Sequence, residues 1–128
     1  MDPKSLRYMK SHEWAGLEGN VATVGITKFA ADQLQDITYI KLPNMGTQVK
    51  PDASFGEIET VKAVSDLYSP VAGEVVAVNQ AVADNPETIK SDPFGAGWLV
   101  KIKLGPGANL NHLMSLAEYE KQLESEPH

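Results

Sequence analysis

Apolar side chains recur along most of this chain in short, partly alternating runs separated by Pro, Gly, Asn and Asp, a pattern that predicts strands rather than long helices. Residues 6–18, where Tyr8, Trp14 and Gly16 surround Ser11, His12 and Glu13, predict a short strand entering the core, and residues 21–26 predict the next. Thr27 is a good N-cap for a short helix running through Phe29, Ala30 and Leu34 and ending near Asp36. An alternating strand over 37–42 follows, stopped by Pro43-Asn44. Beyond Val49 and a Pro51-Asp52 turn lies the stretch 56–76, two β-favouring runs on either side of Lys62, with Ser69-Pro70 and Ala72-Gly73 as turn punctuation.

Residues 75–78 predict a buried strand, Asn85-Pro86-Glu87 a turn or short helix, and 98–104 the last strand. Gly105-Pro106-Gly107 then breaks the chain. Two short helices are expected after it: one from Leu110, Leu113, Met114 and Ala117, the second opened by a Ser115/Glu118 capping box and carrying Tyr119 and Leu123, with residues 124–128 fraying. Segments 36–49 and 66–78 echo each other, each with a strand, a proline and a glycine, as a flattened barrel or sandwich with quasi-twofold symmetry requires. The expected fold is mainly β, a flattened barrel or sandwich with a short helix in the N-terminal half and short C-terminal helices. Residues 1–128 are read as a single domain with a β core over about 6–104 and a helical segment over about 109–124.

Composition narrows the function. A net charge of −6 argues against nucleic acid as a partner and favours steering toward basic protein surfaces. No apolar run has membrane-spanning length, and Met1-Asp2-Pro3-Lys4 lacks the apolar core of a secretory signal, so a soluble, cytoplasmic monomer is expected. Cysteine is absent, which removes disulfides and thiolate metal sites and leaves any redox chemistry to an attached group.

Lys62 falls at the tip of the 56–76 hairpin, with Glu57 and Glu59 before it and Asp66 after it. The sequence shows neither an apolar pocket nor a neighbouring cation that would activate the amine, so Lys62 is a poor catalytic amine and a good modification target, which needs only exposure and fixed presentation. His12 and Glu13 are adjacent and in a strand would face opposite ways, while His112 and His128 are remote, so no metal site is expected. Ser65-Asp66 has no partnered histidine, and Trp14 and Trp98 are read as core aromatics.

Glu59-Thr60-Val61-Lys62-Ala63 followed by Pro70-Val71-Ala72-Gly73 resembles the lipoyl-attachment hairpin, and Val61 and Ala63 stand where biotin carriers have Met on both sides of the lysine. A biotin carrier and an unmodified binding module are the competing classes. Over Tyr8 to Tyr119 the chain is similar to the H-protein family of the glycine cleavage system. The resemblance rests on Ser11-His12-Glu13-Trp14, Val24-Gly25-Ile26-Thr27, Leu42-Pro43, the lysine motif, Ser65-Asp66, Val78-Asn79 and Asp92 to Trp98.

That resemblance implies a lipoyl/biotinyl-type fold, a flattened barrel-sandwich hybrid, and a non-catalytic carrier with lipoic acid in amide linkage to Lys62. Its partners would be a pyridoxal-phosphate glycine decarboxylase that supplies an aminomethyl group, a tetrahydrofolate-dependent aminomethyltransferase that receives it, dihydrolipoamide dehydrogenase and a lipoate-attaching enzyme. The attaching enzyme is expected to read hairpin geometry first, with Glu59 as a steering charge, and a loaded arm that folds back onto its own domain would meet a cleft at Ser11, Glu13 and Asp66. The expected location is the cytoplasm, or the mitochondrial matrix in a eukaryote. The chain departs from the family at Gln35, where Gly is frequent and would end the first helix in a left-handed conformation, and at Lys90 and Phe94, where Asn and Tyr are frequent. These departures leave open an H-like carrier of another lipoate-dependent pathway, such as sulfur oxidation.

Overall fold

The computed structural model describes residues 2–125. A short 3-10 turn, Pro3–Ser5, leads into β1 (Arg7–Tyr8), β2 (Glu13–Glu18), β3 (Val21–Ile26), α1 (Lys28–Gln33), β4 (Ile37–Lys41), β5 (Gln48–Val49), β6 (Ser54–Thr60), β7 (Val64–Tyr68), β8 (Gly73–Val78), α2 (Gln80–Asp84), α3 (Thr88–Ser91), β9 (Val100–Leu104) and α4 (Leu116–Ser125). The strands form two sheets, a six-stranded one in the order β1-β2-β3-β9-β8-β5 and a three-stranded one in the order β4-β6-β7. The main core lies between them: Val24, Val75, Val100 and Ile102 of the large sheet share one cluster with Ile40, Ile58 and Leu67 of the small one. This is the mainly β sandwich that the alternation predicts.

The internal echo has a structural meaning. β4 leads to β5 and β7 leads to β8, each connection passing from the small sheet to the large one, and β5 then pairs with β8 through Gln48↔Glu74 and Val49↔Gly73. Strands β4 and β7 flank β6 on either side. Gly73 is needed where β8 meets β9, because a Cβ there would run into the Lys103 carbonyl.

Several expectations are corrected. Residues 6–18 make a hairpin, not one strand: His12 takes φ +81, its N–H donates to the Met9 carbonyl at 3.0 Å, and the chain turns so that Tyr8 pairs with Trp14. The chain between Leu110 and Met114 is irregular rather than helical. Asn111 N–H bonds the Asn109 Oδ1 at 2.9 Å, a local bond that competes with helix, and Met114 exchanges backbone hydrogen bonds with Tyr8 at 2.8 and 2.9 Å. The C-terminal helical segment therefore begins at Leu116, not near residue 109, and is one helix.

Its start follows the sequence: Ser115 N–H bonds Glu118 Oε1 at 2.9 Å and Glu118 N–H bonds Ser115 Oγ at 3.3 Å, a reciprocal capping box. Glu124 and Ser125 are helical, and residues 126–128, expected to fray, lie outside the described residues. Helix α2 has no counterpart in the sequence reading. It follows Asn79, whose side chain donates to the carbonyls of Ala96 and Trp98 at 2.8 and 2.7 Å and so ties the turn-rich 92–98 loop to the end of β8.

Candidate functional site

Strands β6 and β7 pair antiparallel from Gly56↔Leu67 to Glu59↔Val64, leaving Val61, Lys62 and Ala63 beyond the last cross-strand pair. Thr60 fixes this tip. Its N–H donates to the Ala63 carbonyl at 2.9 Å, and its Oγ1 accepts from the N–H groups of Lys62 and Ala63 at 3.3 and 3.2 Å. A threonine two residues before the lysine thus supplies the local bonds a tight turn needs, and a side chain without a hydroxyl would not. Lys62 and Val61 are exposed on this pinned turn.

A cleft of about 420 Å³ opens beside the lysine. The hairpin side is lined by Thr60, Lys62, Ala63, Ser65 and Asp66, the floor by Ser11, His12 and Glu13, and the opposite wall by Ala30, Gln33, Leu34 and Gln35 of α1 and the residues after it. Four sequence-predicted positions, Lys62, Ser11, Glu13 and Asp66, are therefore gathered around one cavity. Glu59 is not among them: it pairs with Tyr39 and Val64 in the small sheet, beside inward-facing Ile58, and stands on the outer face of the hairpin.

Glu13 is only 2% exposed, although strand position alone gives no reason to bury an acid. Both oxygens are occupied. Ser11 Oγ donates to Oε1 in a short hydrogen bond, and the Tyr68 N–H donates to Oε2 at 2.8 Å. Burial pushes the Glu13 carboxyl above its ordinary value of 4.5, against the opposing pull of those two bonds. Since the folded state then holds the proton more tightly than the unfolded chain, Glu13 favours folding most below the ordinary value, and that contribution is lost as pH rises through the folded one. Glu13→Gln, which keeps an acceptor for Tyr68, is expected to flatten this limb in denaturation midpoints measured from pH 4 to pH 8; an unchanged slope would show that the acid is not destabilised by burial. Asp66 is exposed and accepts only a long bond from Ser54 Oγ, at 3.3 Å.

Sequence reasoning missed three contributors. His12 lines the cleft, with its Nδ1 2.7 Å from the Tyr119 hydroxyl, which also lies 2.6 Å from Thr27 Oγ1. Lys90 Nζ donates to the Leu34 carbonyl at 2.8 Å. Gln35 does not occupy the left-handed position; Leu34 is extended and the following Asp36 takes φ +43, so the absent glycine costs the helix end little. The only signal for Lys90 was its departure from the pattern at a position otherwise read as turn. His112 lies elsewhere, its Nε2 2.8 Å from the Pro70 carbonyl, and His128 falls outside the described residues. Trp14 is fully buried, whereas Trp98 is partly exposed under Lys101 Nζ at 5.2 Å.

The family model "Glycine cleavage H-protein" matches residues 6–126. This chain belongs to the glycine cleavage H-protein family. It is 51% identical over 122 residues to a glycine cleavage system H protein of Thermosynechococcus vestitus, covering 95% of this chain and 94% of that one. Identity to the corresponding protein of Carboxydothermus hydrogenoformans is 46% over 124 residues, covering 97% and 95%. In structure, a glycine cleavage system H protein from Mycobacterium marinum superposes with a TM-score of 0.84 at 36% identity, over 96% of this chain and 99% of that one. Membership of the H-protein family accounts for the two-sheet fold and for the long resemblance outside the lysine motif. It also extends the match through α4, beyond what a lysine hairpin alone would require.

Proposed function

We propose that this protein is a non-catalytic lipoyl carrier that takes an aminomethyl group from a pyridoxal-phosphate glycine decarboxylase and delivers it to a tetrahydrofolate-dependent aminomethyltransferase, with lipoic acid on Lys62. The observation that carries this reading is the exposed Lys62 on a Thr60-pinned turn at the mouth of a cleft floored by Ser11 and Glu13. These residues fit an acylated lysine, because the amine is reachable, the turn is fixed and the cavity beside it combines apolar walls with an acid. When bound, lipoic acid supplies a dithiolane that exchanges between disulfide and dithiol, the second form being reoxidised by dihydrolipoamide dehydrogenase.

The chain's own residues do the rest. Asp66 and Glu13 raise the pKa of a cargo amine brought against them and hold it as a cation, which suppresses expulsion of the sulfur by a neutral nitrogen. Ser11 holds one oxygen of the Glu13 carboxyl in place at the cleft floor by its hydrogen bond. The walls contributed by Ala30, Leu34 and Ala63 exclude water. Glu59, on the outer face between exposed Tyr39 and Val64, is the charge an attaching enzyme meets on approach. The departures at Gln35, Lys90 and Phe94, which left an H-like carrier for another pathway open, do not discriminate between pathways, and glycine cleavage is favoured because the matching family model and the similar proteins are those of the glycine cleavage H protein. The carrier is proposed to work in the cytoplasm, or the matrix in a eukaryote, where its partner enzymes would meet it; among the described residues no helix is long and apolar enough to cross a membrane.

One experiment tests both levels. Lipoylated wild type, Glu13→Ala and Asp66→Asn are loaded from glycine with purified decarboxylase, and spontaneous cargo loss is followed without other enzymes, with circular dichroism confirming the fold of each variant. Wild type should load, and both variants should lose cargo faster. Failure of wild type to load refutes the pathway, and equal loss in all three refutes the role of the two acids.

A further inference from the structure

Helix α1 is one wall of the cleft, yet it is only 6 residues long, and so short a helix is not stable by its own hydrogen bonds. It is held from outside at both ends. At the N-terminal end Thr27 Oγ1 accepts from Ala30 N–H at 3.3 Å and shares a 2.6 Å hydrogen bond with the hydroxyl of Tyr119, which reaches from α4. That hydroxyl also meets His12 Nδ1 at 2.7 Å, so one oxygen ties the wall to the turn that carries Ser11 and Glu13. Tyr119 is 3% exposed and stacks on Tyr8 at 4.8 Å with planes 10° apart, which leaves its hydroxyl little freedom to leave.

At the C-terminal end no left-handed cap follows the last helical residue, because Leu34 is extended, and Lys90 reaches from α3 to the Leu34 carbonyl instead. Leu34 is also the residue whose side chain packs against the main core and whose position lines the cleft. We propose that Lys90 and Tyr119 are positioning residues, which hold the α1 wall of the Lys62 cleft in place from its two ends. The part of this proposal that concerns the arm rests on the carrier reading above; the part that concerns the wall does not.

The wall is tested first in unlipoylated protein. Amide hydrogen exchange is measured for Ala31 and Leu34, whose N–H groups bond the carbonyls of Thr27 and Ala31, in wild type, Lys90→Met, Lys90→Arg and Tyr119→Phe. Loss of a hydrogen bond from a charged donor should speed exchange at Leu34 about tenfold in Lys90→Met, Lys90→Arg should restore it, and Tyr119→Phe should act chiefly at Ala31. Amides of β8 and β9 serve as the control and should not change. Wild-type exchange at both positions in Lys90→Met and Tyr119→Phe would overturn the proposal, as would equal acceleration across β8 and β9, which would mean general destabilisation.

The same variants, lipoylated and loaded, should then lose cargo faster than wild type. If Glu13→Ala speeds cargo loss and neither wall variant does, the wall has no part in protecting the arm and the proposal is overturned while the carrier reading stands. If Glu13→Ala also leaves cargo loss unchanged, the acid part of the carrier reading has failed, and exchange at Leu34 and Ala31 alone decides whether the wall is held as proposed.

Discussion

Protein carrying Lys62→Arg, made in cells supplied with lipoate, is expected to keep its unmodified mass entirely, while wild type gains one lipoyl group. Arginine preserves the charge and much of the length of lysine but has no amine that forms a stable amide under these conditions. Three of the other lysines are visibly engaged elsewhere. Lys28 is paired with Asp32 at 3.0 Å on α1, Lys90 is engaged with the Leu34 carbonyl, and Lys101 lies over Trp98. Lys90 also follows a threonine by two residues, Thr88, but both lie in helix α3 rather than at a hairpin tip, so the pairing of a Thr60-type turn with an exposed lysine is not repeated there. Intact-mass measurement of the two proteins decides the point: any lipoylated fraction in the variant would mean that the attaching enzyme does not depend on this amine.

The second large effect is on stability. Trp14→Ala is expected to cost about 3–5 kcal/mol, a large share of the roughly 5–15 kcal/mol that holds a domain of this kind folded. Trp14 is fully buried and its ring meets Gly25 so closely that a Cβ there would come within 2.6 Å of it. Its Nε1 donates to the carbonyls of Ile26 and Pro93 at 3.0 and 3.1 Å, joining the end of β3 to the 92–98 loop. Truncation therefore leaves a cavity and two carbonyls short of a donor directly beside Glu13. Trp14→Phe should fall between the two, since it refills much of the volume without the N–H. Urea denaturation measures all three, and a cost below about 1 kcal/mol for the alanine variant would contradict this account of the core.

What was legible in the sequence was mostly local. The lysine hairpin could be read because β-favouring runs, turn residues and the Thr60-to-Lys62 spacing lie within one short stretch, and the same holds for the Thr27 cap and the Ser115/Glu118 box. Burial of Glu13 could not, because the donor that makes it tolerable, the Tyr68 N–H, lies 55 residues away and is a backbone group with no sequence signature. The 6–18 segment was misread for a related reason: nothing in Ser11-His12 announces a left-handed histidine, a conformation a non-glycine residue adopts only when surrounding contacts over-determine it. The supposed helix at Leu110 to Met114 had the right apolar spacing but lost to the bonds that Met114 makes with Tyr8 across the chain. Ser11, Glu13 and Asp66 are singled out by resemblance and gathered by the fold, whereas the roles of His12, Lys90 and Tyr119 rest on contacts between segments distant in the chain.

The position of β9 in the large sheet, between β3 and β8, bears on the order of events at the ribosome. Strands β3 and β8 are both made before the strand that joins them, and the lysine hairpin is made between the two. Until β9 emerges, the opposing layer exists only as two unjoined pieces, β1-β2-β3 and β8-β5, and the apolar face of Ile40, Ile58 and Leu67 has no continuous surface to cover it. A nascent chain therefore displays Lys62 early but in a hairpin without its supporting core. If the attaching enzyme reads the folded turn, as proposed, Lys62 becomes its substrate only once β9 has emerged, and translation sets the earliest time at which the carrier can be armed.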